Sequence, residues 1–405
     1  MKITGYEVFP VANPAPDIGG PVWMFVRLDT DAGVSGYGEV FTSSVYSPPH
    51  TFARVIGDFV DEFAVGHDPA DTERFFLSVY NSHFTRSSDL LKMAMAAGVE
   101  IAMWDILGKD LGRPVHALLG GRVRDSVRMY SYLTPPTGAD SSTFWADDDA
   151  IAARTQEYLA LGFTALKVDP FPLLTGPDTL AGQYVPVQPT ETQLANAERI
   201  LEAIRGAMGT RGSLIIGTHG QFTASGAIRV AQRIERFDPL WFEEPVPPEL
   251  PGEMAKVARA VRVPIAAGER LGSKAGFAEL VRAGAADIFN PDVTQVGGIL
   301  ELRKIAALAE AHGVQVTPHV FGGPLVAAAS LQVALTLPNL LVVEGNGTYD
   351  GAYADLVTHP LDWHDGRLWP SDRPGMGADL DEARARELVV TDEAFQYRRP
   401  GADHW

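Results

Sequence analysis

The chain contains no cysteine among its 405 residues, which excludes disulfide bonds and thiolate metal ligands. Basic residues are also scarce, because 33 Lys and Arg stand against 51 Asp and Glu, a formal net charge of −18 at pH 7. That balance excludes the basic surface of a nucleic-acid-binding protein. No apolar run approaches membrane-spanning length, and residues 2–9 are typical of a β-strand rather than of a signal peptide. We therefore expect a soluble, cytoplasmic protein with neither a nucleic-acid nor a membrane partner.

The N-terminal part of the chain shows the pattern of a small α+β module. Apolar and polar residues alternate as in strands over 2–9, 22–29 and 34–40. Helical spacing follows over 51–63, 70–83 and 88–109. We predict an N-terminal α+β capping domain over residues 1–125.

From residue 127 onward, short apolar strands alternate with helical segments, which predicts a parallel β/α barrel over residues 126–350. The predicted barrel strands include 165–168, 214–216, 240–242, 265–267, 288–289, 314–316 and 340–343. The remaining segment, 351–405, is too short for a domain of its own, and we expect it to return to the capping domain. The predicted fold class is thus α/β, a TIM-like barrel with an α+β cap.

A series of polar positions closes the later apolar runs at intervals of 23 to 27 residues, which suits one strand, one helix and two loops. The series consists of Gly217 with His219, then Glu243, Glu269, Asp292, His319 and Glu344. The C-terminal ends of parallel barrel strands converge on one mouth, where barrel enzymes keep their active sites. We therefore expect these side chains to meet in one catalytic site.

The residue types in this series favour metal and acid–base chemistry. Glu243 and Glu269 could face one another and hold Mg²⁺ through oxygen ligands, although Glu243 could also be an ordinary polar residue before a helix starting at Pro245. Asp292 could accept a hydrogen bond from one nitrogen of His319 and leave the other nitrogen free to take a proton. His219 could act from the opposite side of the mouth, or be a loop histidine bonded to backbone.

Lys167 lies inside a short apolar strand, where an ammonium is costly unless it meets an anion. It could contact the carboxylate or the developing enolate of a substrate, or be only half of a salt bridge with Asp169. The long segment 170–189 follows that strand and is either a lid over the mouth or a surface insertion. We also predict substrate contacts from Asp169, Arg270 and Tyr46, with loops 18–21 and 42–49 covering the substrate.

Nine short motifs are spread over nearly the whole chain: Met1-Lys2-Ile3-Thr4, Gly36-Tyr37-Gly38-Glu39, Trp104-Asp105-Ile106-Leu107-Gly108-Lys109, Leu118-Leu119-Gly120-Gly121, Trp241-Phe242-Glu243-Glu244-Pro245, Ala267-Gly268-Glu269-Arg270, Asn290-Pro291-Asp292, Arg373-Pro374-Gly375-Met376-Gly377 and the terminal Trp405. Together they resemble the enolase superfamily, and within it the mandelate racemase group and its sugar-acid dehydratases of the galactonate dehydratase type. This resemblance implies a modified (β/α)7β barrel under a capping domain, with Mg²⁺ held by one Asp and two Glu.

The resemblance also implies a role for each site residue. Glu243 and Glu269 match the two metal-binding Glu, and His319 with Asp292 matches the His-Asp dyad, whose histidine is the base. His219 matches the second histidine, the acid. In the same way Glu344 matches the residue of the eighth strand near the substrate, and Lys167 matches the first lysine of the second-strand motif. Asp169 replaces that motif's second lysine, which argues against a racemase that uses it.

Gly217 departs from the pattern, because it stands where the family has its first metal-binding Asp. His219 could replace that ligand, water could complete the metal shell, or the site could bind metal poorly.

The expected activity is that of a lyase, a Mg²⁺-dependent dehydration of an aldonic or aldaric sugar acid to a 2-keto-3-deoxy acid. The alternatives are a cycloisomerase or epimerase acting on a sugar-acid lactone or anhydro sugar acid, and a catalytically silent binding protein. We expect a homo-oligomer.

Overall fold

The computed structural model describes residues 1–14, 18–42, 48–82, 86–171, 186–345 and 347–390. Within these ranges, every helix is too short or too polar to cross a lipid bilayer.

The N-terminal part of the chain forms a three-stranded antiparallel sheet with helices packed on it. The strands are β1 (Ile3–Ala12), β2 (Val22–Thr30) and β3 (Ser35–Val40), and the helices are α1 (Pro49–Phe63), α2 (Thr72–Tyr80), α3 (Leu90–Asp110) and α4 (Val115–Leu118). The Asp89 carboxylate accepts from the backbone N–H of Lys92 and so caps the start of α3. Phe52 and Ile56 of α1 pack with Val26 of β2 and Val99 of α3 in one apolar core. The expected α+β cap is thus confirmed.

Parallel strands in the middle of the chain form a closed barrel. In the described ranges they number eight: β4 (Val127–Tyr132), β5 (Ala165–Val168), β6 (Ser213–Gly217), β7 (Pro239–Glu243), β8 (Ile265–Ala267), β9 (Ile288–Phe289), β10 (Gln315–Val316) and β11 (Val343–Gly345). The barrel closes where β11 pairs with β4, Glu344 opposite Tyr130. The expected (β/α)7β barrel is therefore confirmed.

Helices follow each of the first seven barrel strands. They are α5 (Ser141–Ala146), α6 (Asp148–Ala160), α7 (Glu191–Met208), α8 (Ala224–Ile234), a 3₁₀ turn (Glu235–Phe237), α9 (Pro251–Ala260), α10 (Lys274–Ala283), α11 (Ile299–Ala311) and α12 (Pro324–Ala334). The sequence alternative of a helix starting at Pro245 is wrong. The helix after β7 begins instead at Pro251, which suits the first helical turn because proline lacks an N–H.

The inside of the barrel is layered, and the layering fixes the depth of the polar residues. Seven side chains fill an apolar layer: Tyr130, Ala165, Ile215, Trp241, Ala266, Ile288 and Val342. Successive side chains on a strand alternate between faces, so the residue two positions on points to the same side. Lys167, Gly217 and Glu243 follow Ala165, Ile215 and Trp241 by two residues and therefore lie directly above the apolar layer.

The last described elements contact both parts of the molecule. They are α13 (Ala352–Asp355), β12 (Asp362–His364), β13 (Arg367–Trp369) and α14 (Glu382–Glu387). Strand β13 pairs with β4, while Glu382 of α14 forms an ion pair of 2.8 Å with Arg27 of β2. The backbone N–H of Val390 donates to the carbonyl of Pro10. The boundaries at 125/126 and 350/351 stay predictions.

Two buried carboxylates of the capping domain bind the starts of successive barrel helices. Glu39 accepts from the N–H groups of Gly323 and Val326 at 2.5 and 3.2 Å, at the start of α12. Glu100 accepts from the N–H groups of Ile299 and Leu300 at 2.8 and 2.9 Å, at the start of α11. Free N–H groups at helix N-termini attract carboxylates. These contacts dock the capping domain over the barrel mouth.

Glu39→Gln should make stability less dependent on pH. Burial raises the pKa of Glu39 to about 8, with the charge of Asp292 adding to the rise and the helix N–H groups opposing it. Between its ordinary pKa of 4.5 and about 8, folded protein keeps a proton that the unfolded chain releases. Stability due to this group therefore falls as pH rises, by up to about 1.4 kcal/mol per pH unit.

Denaturant unfolding at several pH values between these limits would measure the effect. We expect Glu39→Gln to gain stability relative to the unsubstituted protein as pH rises, while the exposed Glu310→Gln control gains none. If the difference in stability between Glu39→Gln and the unsubstituted protein did not change with pH, Glu39 would be ionised in the folded protein over this range.

Candidate active site

The six positions of the sequence series lie together at the C-terminal mouth of the barrel. Gly217 and Glu243 end their strands and Glu344 lies within β11, whereas Glu269, Asp292 and His319 follow β8, β9 and β10 within three residues. A parallel bridge joins the backbones of Asp292 and His319. The structure thus brings together the polar groups that the spacing predicted to meet.

Lys167 lies at the centre of a cluster of carboxylates. Its side chain is 1% exposed, and its ammonium forms an ion pair with Oε1 of Glu243. The same nitrogen lies 3.6 Å from Oε1 of Glu344 and 4.0 Å from Oε2 of Glu269. Burial alone would lower the pKa of the amine, but Glu243 and Glu344 hold that pKa well above its ordinary value. Lys167 is therefore a buried ammonium, and its partners are these glutamates rather than the predicted Asp169.

The absence of a side chain at Gly217 makes room for this lysine. A Cβ atom on Gly217 would lie 2.6 Å from Cε of Lys167 and 3.0 Å from the hydroxyl of Tyr132. Such separations are well inside van der Waals contact between carbon atoms. The lysine chain therefore occupies the space next to the position where the resemblance predicts an aspartate.

The carboxyl groups of Glu243 and Glu269 have opposite tendencies to ionise. Burial raises the pKa of Glu243 to about 8, although Lys167 opposes the rise. Burial would also raise the pKa of Glu269, but the neighbouring His319 and Lys167 hold it below its ordinary value. Oε2 of Glu269 is buried and has no hydrogen-bond partner. Glu269 is thus the more strongly ionised carboxylate of the two.

The donor set does not fit a magnesium ion held by one Asp and two Glu, as the resemblance predicts. Both oxygens of Glu243 take hydrogen bonds, Oε2 from Nε1 of Trp241 at 2.8 Å and Oε1 from Lys167. In the described part of the chain, no three His, Asp or Glu side chains are arranged to hold a metal ion. The structure therefore gives the predicted ligands Glu243 and Glu269 no third partner, either from Gly217 or from His219.

His319 and Asp292 form the expected dyad. Nδ1 of His319 lies 2.7 Å from Oδ2 of Asp292, while Nε2 lies 3.5 Å from Glu344 and 3.7 Å from Glu269. Asp292 is oriented by the backbone N–H of Thr294, which donates to Oδ1 at 2.7 Å.

The charge state of His319 follows from these neighbours. Burial alone would lower the pKa of the ring, but the carboxylates of Glu344, Glu269 and Asp292 raise it to about 10. The ring is an imidazolium at neutral pH, and that proton must leave before His319 can accept one.

His219 and Asp169 lie on another side of the mouth. Nδ1 of His219 is 3.9 Å from Oδ2 of Asp169, and Nε2 is 3.5 Å from the hydroxyl of Tyr132. Asp169 also accepts from Nε2 of Gln221 at 2.8 Å and from the N–H of Phe171 at 2.9 Å. His219 has a left-handed backbone, φ 49°, a strained conformation that is often found at functional sites.

Arg270 is fixed by a partner that the sequence did not assign. Its Nε donates to Oε2 of Glu244 at 2.8 Å, and Glu244 itself is fully buried. The backbone N–H of Gly220 donates to the carbonyl of Glu244 at 2.7 Å. Arg270 therefore lies beside the loop that carries His219, where a cation could meet an anionic substrate.

Two tyrosines of β4 were also missed. The ring centres of Tyr130 and Tyr132 lie 5.8 and 4.9 Å from Nζ of Lys167. A signal was present, because these residues are two apart on a strand that pairs with the strand of Lys167 and so point to the same side. Aromatic faces next to a cation stabilise it, and this pair forms part of the ammonium site.

The capping domain approaches the mouth through Phe41 and the loop at 18–21. Phe41 packs edge-on against Phe321, with ring centres 6.3 Å apart, and Phe321 stacks against His319. The hydroxyl of Tyr353 donates to the carbonyl of Ile18 at 3.2 Å. The predicted substrate residue Tyr46 and most of the predicted lid, 172–185, lie outside the described residues.

Two family models match the chain. The model described as "Enolase C-terminal domain-like" matches residues 150–384, and the model described as "Mandelate racemase / muconate lactonizing enzyme, N-terminal domain" matches residues 18–120. Together they span most of the barrel and most of the cap.

Named relatives and solved structures resemble the chain over almost its full length. A D-galactonate dehydratase of Variovorax paradoxus is 33% identical and covers 95% of this chain and 93% of its own. A D-gluconate/D-galactonate dehydratase of Picrophilus torridus is 31% identical and covers 93% and 91%. The crystal structure of a mandelate racemase/muconate lactonizing enzyme from a Sulfitobacter species superimposes with a TM-score of 0.89 at 41% identity, covering 96% of each chain.

Proposed function

The chain belongs to the mandelate racemase and muconate lactonizing enzyme group of the enolase superfamily, and from this premise we propose that it dehydrates a sugar acid. It is an enzyme of the hydro-lyase class, as its relatives named D-galactonate dehydratase indicate. The proposed substrate is an aldonic or aldaric acid, with D-galactonate the first candidate, and the proposed product is a 2-keto-3-deoxy acid.

One observation carries the proposal, namely two histidines on opposite sides of a mouth that also holds a buried ammonium. His219 follows the third barrel strand and His319 the seventh, so they face one another across an eight-stranded barrel. Elimination of water needs a base at the α-carbon and an acid at the departing hydroxyl. The dyad with Asp292 suits His319 to the first role, and His219 is the candidate for the second.

The proposed elimination moves one proton out and one proton in, and a tautomerisation follows it. Nε2 of neutral His319 takes the proton from the α-carbon, and the C–H electron pair passes into an enediolate. That pair then forms a double bond between the α- and β-carbons and expels the β-hydroxyl, which leaves as water with a proton from His219. The resulting enol takes a proton at the β-carbon and releases the proton of its hydroxyl group, which gives the 2-keto acid.

Charge near the substrate carboxylate decides whether the first step is possible, because an α-proton is only weakly acidic. Among the described residues, Lys167 and Arg270 offer lasting positive charge at the mouth, whereas the imidazolium of His319 must lose its proton before it can act as the base. Superfamily members typically use Mg²⁺ for this charge, and the predicted Mg²⁺ rests on that resemblance and on the two glutamates at successive strand ends. The donor set around Glu243 does not fit the ion, so no step here is assigned to it.

His219→Asn should separate the two proton transfers. We expect dehydration to slow by about 10²-fold or more because the leaving hydroxyl loses its acid. Exchange of the α-proton with solvent should continue, since it needs only the base. Mass spectrometry of the product and NMR of the α-proton would measure the two rates, and equal loss of both would reverse the assigned roles.

A mass-resolved screen of aldonic and aldaric acids would test the proposed function. Loss of one water from at least one acid is the expected result. Conversion at unchanged mass would instead favour the cycloisomerase or epimerase. Binding of an acid with no conversion would favour the silent binding protein.

A further inference from the structure

We propose that the ammonium of Lys167 takes the place of the divalent metal in this site, so that the protein neither binds nor requires Mg²⁺ at the barrel mouth. The binding half of this inference rests on the structure of the carboxylate cluster. Only the catalytic half, that turnover needs no metal, rests on the proposed function.

The ammonium occupies the position of a shared cation among three carboxylates. It pairs with Glu243 and lies within 4.0 Å of Glu269 and Glu344, which come from strand ends on different parts of the barrel rim. A divalent ion in the same cluster would meet a second cation at contact distance. Two adjacent cations in a buried site repel strongly because little water screens them.

The backbone at Gly217 makes this arrangement possible. A side chain at that position would start 2.6 Å from Cε of Lys167. Glycine therefore does two things at once: it removes a carboxylate that the metal would need, and it leaves the space through which the lysine reaches Glu243. The missing carboxylate and the position of the lysine therefore depend on the same glycine.

The hydrogen bonds of Glu243 complete the argument. Trp241 and Lys167 each donate to one of its carboxylate oxygens. Mg²⁺ requires near-octahedral oxygen ligands at about 2.0–2.1 Å, so coordination would have to displace one of these donors. Of the three carboxylates around the ammonium, only Glu269 has a buried oxygen without a hydrogen-bond partner, and one carboxylate oxygen makes a weak site.

Binding of Mn²⁺, an ion that reports on Mg²⁺ sites, tests the inference without any substrate. We expect equilibrium dialysis and electron paramagnetic resonance of the full chain to show no saturable site at millimolar Mn²⁺, and its melting temperature to be unchanged by Mg²⁺. One ion bound per chain, displaced by Mg²⁺, would overturn the inference.

The double variant Lys167→Ala/Gly217→Asp should create the metal site. It removes the ammonium, opens the space beside residue 217 and supplies the missing carboxylate. The variant Lys167→Ala/Gly217→Asn is the matched control, since asparagine has nearly the same shape without the charge. We expect the Asp variant to bind Mn²⁺ at least about 10-fold more tightly than the Asn variant. Equal affinity in two folded variants would show that neither group controls metal binding, which contradicts the inference.

The outcomes separate this inference from the proposed function. If dehydration continues in the presence of a chelator and the protein binds no Mn²⁺, the result supports both the proposed function and the replacement of the metal. Dehydration that stops with chelator and returns with Mg²⁺ keeps the proposed function and overturns the inference. Absence of dehydration across the acid panel, together with no Mn²⁺ site, refutes the proposed function and leaves the replacement of the metal intact.

Discussion

Lys167→Met should lower the free energy of unfolding by about 3–5 kcal/mol, the usual cost of removing one partner from a buried ion pair. The ammonium is almost completely buried and lies among Glu243, Glu269 and Glu344. Methionine nearly matches the length of lysine, so the lost charge rather than a cavity would cause the effect. The variant would leave carboxylates facing one another in a site from which water is excluded. Denaturant unfolding followed by circular dichroism would measure the change.

The control for this prediction is Lys256→Met. Lys256 pairs with Glu253 at 3.5 Å on the outer surface of α9, and its side chain is 57% exposed. Exposed pairs contribute about 0–1 kcal/mol, so this variant should change stability little.

A double-mutant cycle sharpens the first result. Glu243→Gln in the Lys167→Met background should restore part of the lost stability, because it removes a carboxylate left without its cation. If Lys167→Met cost no more than Lys256→Met, Lys167 would not be the cation that holds this cluster together.

His319→Asn should slow exchange of the substrate's α-proton by about 10²- to 10⁴-fold, the range that a positioned general base contributes. The reason is geometric, since Nε2 is the nitrogen of His319 that Asp292 leaves available. Asparagine keeps a polar group against Asp292 and limits damage to the fold. Proton NMR in D₂O with an accepted acid would give the exchange rate.

His364→Asn is the matched control for His319→Asn. His364 also has a carboxylate partner, Asp362 at 2.9 Å, but it is exposed on the β12–β13 hairpin. Its replacement should leave α-proton exchange unchanged. If His319→Asn exchanged the α-proton as fast as this control does, the dyad would have no part in proton abstraction.

The architecture was predictable because the chain repeats one simple pattern. Each barrel strand is a short apolar run, and the polar residue that ends it lies at the mouth. That rule alone predicts that one mouth holds a group of five polar residues: Glu243, Glu269, Asp292, His319 and Glu344. It also predicted the His319–Asp292 pair, since neighbouring parallel strands bring their ends side by side.

The partners of individual side chains were not predictable from that rule. Spacing indicates which end of the barrel a residue occupies, but not how far its side chain reaches across. The sequence left Lys167 either a substrate contact or a salt bridge with Asp169, two residues away, whereas it extends through the space left by Gly217 to Glu243. Contacts between the cap and the barrel were equally hidden, because Glu39 meets Gly323 across 284 positions of sequence.

Conversion of an accepted sugar acid in D₂O, followed by proton NMR and mass spectrometry, would test the proposed dehydration. We expect the signal of the α-proton to disappear, one water to be lost, and the 2-keto-3-deoxy product to carry solvent deuterium at the former β-carbon. Loss of the α-proton signal with the mass of an undehydrated acid, deuterium aside, would contradict the dehydration. An α-proton that survives in every acid that the protein binds would contradict the proposed chemistry altogether.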